Sequence, residues 1–140
     1  MSLHVATGAA GGALVRSRRL AVPLGLLLHL AGDRMPHHDI GDRTFEIGSG
    51  IVAVVLIAAV RGPLDPAVTG ALAASAPDVE HIFRLPRPGG RKLFPSHRLR
   101  GWHRAGGLSS QTQLLLAGVL LGLVLSRRPP YGTSTSEPRT

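Results

Sequence analysis

Five apolar segments, each closed off by proline, glycine or an arginine cluster, restrict this 140-residue chain to a single domain built from short apolar elements. The first, MSLHVATGAAGGALV, carries no acid and no Lys or Arg and ends at Arg16, Arg18 and Arg19. A secretory signal has its positive charges before the apolar stretch, not after it, so this order reads as a retained helix. The second runs from Leu20 to Gly32, apolar apart from His29, with Pro23 near its start. The third, Ile47 to Val60, has fourteen uncharged residues; its β-branched run fits helix or buried strand, and its length favours helix. The fourth runs from Leu64 to Ala76, with Asp65 and Pro66 in its first turn and Pro77 closing or kinking it. The fifth, Leu108 to Ser126, has nineteen uncharged residues and contains Gly118-x-x-x-Gly122. It is the best candidate for a membrane span, since crossing needs roughly 20 apolar residues.

Between the fourth and fifth segments, Arg84 to Gly107 is rich in Pro, Gly and Arg and reads as a long irregular connection. The expected architecture is therefore an all-α up-and-down bundle of about five apolar helices over residues 1–126, embedded in or associated with a membrane. A disordered tail over 127–140 completes it. Short connections make neighbouring helices antiparallel. Under that alternation all seven histidines fall at one end, and Arg16 to Arg19, Arg61 to Asp65 and the tail fall at the other. Nine Lys/Arg at the histidine end against seven at the other do not set an orientation by the positive-inside rule.

With no cysteine in the chain, disulfides, thiolate zinc sites and cysteine nucleophiles are excluded, and any metal must be held by His and carboxylates. The densest polar stretch is HLAGDRMPHHD, His29 to Asp39. His29 and Asp33 are at i and i+4, so a helix projects them from one face about 5–6 Å apart at Cβ. His37, His38 and Asp39 follow beyond Pro36; Asp78 and His81 are at i and i+3; His97 and His103 lie in the irregular connection. Imidazole and carboxylate suit zinc, manganese or iron. So many ligands suit one to three ions with an activated water, and Arg84, Arg87, Arg91, Lys92, Arg98, Arg100 and Arg104 supply contacts for an anionic oxygen.

Plainer readings exist for each residue. Asp33, Asp78 and His81 sit at helix ends, where capping and dipole pairing are common. A lone His4 on an apolar helix is ordinarily a packed residue, the arginine-rich loop a solvated or lipid-facing surface, and Trp102 an interfacial anchor.

An N-terminal His in a Gly/Ala helix, then H-x-x-x-D-x-x-P-H-x-D, then P-D-x-x-H, then an HR…H loop is an order that resembles the small bacterial membrane-bound metal-dependent hydrolases, themselves distantly similar to zinc phospholipase C and related nucleases. The matching pieces here are His4, HLAGDRMPHHD, PDVEH and the stretch His97 to His103, spanning about three quarters of the chain. The resemblance implies metal ligation by His4, His29, Asp33, His37, Asp78, His81, His97 and His103, and residence in the bacterial inner membrane. The last motif departs from the pattern: HRLRGWHR has wider spacing than the expected His-Arg-Gly-x-His, and lacks the following Ser.

The expected function is a membrane-bound hydrolase in which a zinc-type centre activates water against a phosphoester or similar anionic substrate. Asp39 is the expected general base or additional ligand, and Arg98 or Arg100 the expected anion contact. Two rivals use the same features: a non-catalytic metal-binding membrane protein, and a basic nucleic-acid-binding module suggested by the net charge of +8.

Overall fold

Capping side chains and glycines set where the helices begin and end. The computed structural model describes residues 2–38, 40–83, 85–102 and 106–127, and every regular element among them is helical. The long helices are α1 (Ser2–Val15), α2 (Arg18–Arg34), α3 (Arg43–Arg61) and α4 (Pro66–Ser75). Two one-turn helices, α5 (Val79–Ile82) and α6 (Pro95–Arg98), precede the last long one, α7 (Ser110–Ser126). Asp42 caps α3 by accepting from the Phe45 amide at 2.9 Å, and Asp65 caps α4 by accepting from the Ala67 amide at 2.8 Å. Pro66 takes the first position of α4, where its missing N–H costs nothing. Gly62 ends α3 at φ +91°, a conformation that side-chain-bearing residues rarely adopt.

The helices alternate in direction, as the short connections require. Ser2 and Ser49 share a hydroxyl hydrogen bond of 2.7 Å, so α1 and α3 start at the same end. Arg61 donates to the carbonyls of Val124 and Arg127, so α3 and α7 finish together at the other. Helix α1 runs through the middle, against α2, α3, α4 and α7. Its contact with α4 is backbone on backbone: a Cβ at Gly8 would overlap the Gly70 carbonyl, and one at Gly12 the Pro66 carbonyl. Small residues permit that approach, and dispersion over the close contact holds it. Val5, Ala9, Ala53, Ile57, Ala67, Val68, Ala71 and Val124 form the core beside it.

Several expectations shift in detail. The stretch open to helix or strand is helical throughout, as α3. The second helix starts at Arg18, two residues before the apolar segment, with Ser17 as its cap, so Pro23 falls in its second turn. Pro77 neither ends nor simply kinks the fourth segment: Ala76–Asp78 tightens into a 3-10 turn that leads into α5. The irregular connection contains a helical turn, α6, which carries His97. Trp102, expected at a membrane interface, donates its indole N–H to the Leu30 carbonyl at 3.2 Å and lies under the Arg34 guanidinium. Among the described residues one helix, α3, is long and apolar enough to cross a membrane; α1 and α7 are shorter apolar helices. Residues 128–140 of the expected tail lie outside the described residues.

Candidate metal centre

The alternating helices bring four chain segments to one end, and each delivers a histidine or carboxylate. Helix α1 supplies His4 from its first turn, α2 supplies His29 and Asp33 from its last two turns, and the 3-10 turn supplies Asp78. The α5 turn adds Glu80 and His81, and α6 adds His97. Asp33 is the hub, and it is buried. Its Oδ1 lies 3.3 Å from His4 Nε2, and its Oδ2 lies 3.1 Å from His29 Nε2 and 3.4 Å from His97 Nε2. Gly32 leaves the space for this: a Cβ there would stand 2.7 Å from His4 Cε1.

The Ala74 carbonyl orients the His29 ring: Nδ1 lies 2.8 Å from its oxygen, which can only accept, so Nδ1 carries a proton and Nε2 turns towards Asp33. Nε2 therefore faces Asp33 Oδ2 at 3.1 Å, both atoms buried, with His97 Nε2 3.4 Å from the same oxygen. Two buried polar atoms so close need a proton or a metal cation between or beside them. Ligands held at about 2.0–2.2 Å from one ion stand roughly 3–3.5 Å from each other. The separations around Asp33 match that edge length. Among the described residues three groups bring their ligand atoms within 4.8 Å of one another, close enough to hold a metal ion: His4, His29 and Asp33; His29, Asp78 and His97; and Glu80, His81 and His97.

Glu80 was absent from the residues singled out in the sequence. It is 2% exposed and receives hydrogen bonds from the Leu93 amide at 2.7 Å and the Phe94 amide at 3.4 Å. His97 Nδ1 lies 2.5 Å from Glu80 Oε1. This contact directs His97 Nε2 towards Asp33 and towards Asp78, 4.0 Å away. The only sequence signal for it is a carboxylate set in the otherwise apolar run around PDVEH.

Electrostatics separates these groups. Burial works against the Glu80 carboxylate, but the Leu93 amide, His97 and the Phe94 amide outweigh it and hold its pKa below the usual range. Burial also works against the charge on His97, yet the carboxylates of Asp33 and Glu80 raise its pKa. His81 shifts downward through partial burial, the neighbouring His97 charge and Lys92. Its Nε2 lies 3.2 Å from His97 Nδ1.

A cavity of about 630 Å³ opens onto the cluster, and His4, Asp33, Asp78, His81 and His97 line it while His29 lies buried behind them. His37 lines the same cavity with Nδ1 2.8 Å from the Met35 carbonyl, but it is in none of the three groups. Arg98 and Arg100 are exposed and do not line the cavity; among the described residues Arg43 and Lys92 are the Lys/Arg side chains that do. Asp39 and His103 lie outside the described residues. The chain matches no protein-family model, and neither a curated protein nor a solved structure matches it.

Proposed function

We propose that this chain is a membrane-associated, metal-dependent hydrolase that holds one to three divalent cations, zinc in the first instance, on His4, His29, Asp33, Asp78, His81 and His97. The reading rests on one observation: the buried Asp33 carboxylate is ringed by Nε2 of His4, His29 and His97 at 3.3, 3.1 and 3.4 Å. Nitrogen and carboxylate donors suit zinc, manganese or iron. Bound there, such an ion supplies Lewis acidity towards water and towards a phosphoryl oxygen. The protein's own part is positioning. Glu80 orients His97, and the Ala74 carbonyl orients the His29 ring.

Membrane association is supported by the outer faces of the bundle. Leu27, Val52, Leu56, Leu115, Val119 and Leu123 are exposed on α2, α3 and α7, apolar surface that a lipid environment would cover. The order of the motifs, similar to that of the bacterial membrane-bound hydrolases, agrees with this. The competing reading, a metal protein without catalysis, expects a closed ligand shell. The open cavity against five ligand side chains favours a site that substrate can reach.

Elemental analysis of protein purified from membranes without chelator or histidine tag tests the proposal. We expect about one to three tightly held ions per chain, lost from the His29→Ala, Asp33→Ala double variant while helicity is kept. Unchanged metal content in that variant, or a folded protein without metal, overturns it.

A further inference from the structure

Arg43 and Lys92 belong to no ligand group, yet both are parked on one residue of the cavity wall. Arg43, in the first turn of α3, donates from Nη2 to the His81 carbonyl. Lys92, from the connection before α6, has Nζ 3.5 Å from His81 Nδ1. Segments nearly fifty residues apart thus bring a guanidinium and an ammonium to the same edge of the cluster. Planar guanidinium and mobile ammonium together suit the oxygens of a phosphate.

The rest of the cavity is of another kind. Leu3, Ile40, Ile47, Ile82 and Leu108 line it. From Ile47 the helix α3 carries the apolar wall outward at helical spacing through Ile51 and Val55, each 58% exposed. Eight residues of helix extend about 12 Å, the length of a medium alkyl chain. A polar, cationic floor that passes without a break into an exposed apolar stripe has two ends of different chemistry. The stripe lies on the one described helix long and apolar enough to cross a membrane.

We propose that the substrate is a phosphate-bearing amphiphile. Its head lies between the metal ligands and the Arg43–Lys92 pair, and its chain lies along Ile47, Ile51 and Val55. This inference rests on the metal-centre reading and adds the substrate class to it.

The test uses full-length, zinc-loaded protein in lipid nanodiscs, with dodecyl phosphate, dodecanol and inorganic phosphate as probes. We expect dodecyl phosphate to bind on the order of tenfold or more tighter than inorganic phosphate, because the chain leaves water. Lys92→Gln and Arg43→Gln should each weaken both phosphate probes by about tenfold or more, with metal content unchanged, through loss of a charge-assisted contact. Ile51→Ser with Val55→Ser should remove the preference for the chain and leave inorganic phosphate binding as it was. Lys92→Gln lies in a connection and Ile51→Ser on an exposed face, so folding survives even if Arg43→Gln disturbs the start of α3. Equal affinity for the two phosphates, or dodecanol binding as well as dodecyl phosphate, overturns the inference while leaving the metal centre standing. Protein that takes up no zinc overturns the metal reading itself.

Discussion

His29 Nε2 and Asp33 Oδ2, one helical turn apart on α2, face each other at 3.1 Å in the buried end of the bundle. The Ala74 carbonyl, by accepting from Nδ1 on the far side of the ring, holds Nε2 in that direction. His29→Phe keeps the ring volume and removes both ring nitrogens. Without metal it should melt below the wild type, because the buried Ala74 carbonyl and Asp33 each lose a partner, and it should lose the rise in Tm that zinc gives the wild type. That rise corresponds to about 4 kcal/mol at a thousand times the Kd. Thermal unfolding with and without zinc reads both.

Glu80→Gln should lower zinc affinity by about 10–100-fold, the usual cost of losing a partner that orients a metal-bound histidine. Glutamine has one accepting oxygen where Glu80 uses both, towards Leu93 and Phe94. Competition titration against a chromogenic chelator measures the change; an unaltered affinity would show that His97 is not held through Glu80.

The raised pKa of His97 gives the metal-free protein a pH dependence of definite sign. Its protonated form is favoured in the fold, so the stability it contributes is fully present below the unfolded histidine value of about 6.5 and is lost as pH rises through the higher folded value. Tm in the presence of chelator should fall over that window, and His97→Gln should flatten the fall. Zinc binding runs the other way, because the proton must leave first, so affinity should weaken as the pH is lowered through the same window.

Arg61→Met should destabilise the bundle by about 3–5 kcal/mol, since it leaves Asp65 buried without its cation. It also frees the Val124 and Arg127 carbonyls at the end of α7. The residue lies at the end away from the histidines, so zinc stoichiometry should stay the same. Denaturant unfolding together with metal analysis separates the two.

Gly32→Ala adds a single methyl where the His4 ring stands. Helicity should be unchanged, while zinc affinity falls because His4 is pushed off Asp33. Circular dichroism with metal titration checks this, and full affinity would place His4 outside the coordinating set.

The gathering of histidines at one end was legible because it needs only helix alternation, and the i, i+4 pair on α2 because it needs only helical period. Glu80 and Arg43 were not, because their partners, Leu93 and Phe94 for one and His81 for the other, are supplied by segments remote in sequence. Arg98 and Arg100 looked suited to an anion by their place beside His97. A helical turn that aims His97 inward rotates its neighbour away, and both arginines meet solvent. The partners of Trp102, Leu30 and Arg34, are not legible for a related reason: they come from a helix far back in the chain.

The meeting of Gly8 with Gly70 acts as a rigid strut. Side chains between two helices compress and hop rotamers; peptide planes in direct contact do neither. His4, on α1, and Asp78, just past the end of α4, are therefore mounted on a frame whose width is written in the main chain. The distance between the two ligand-bearing ends is thereby set by backbone contact, and one methyl group at Gly8 would alter it from a full turn away.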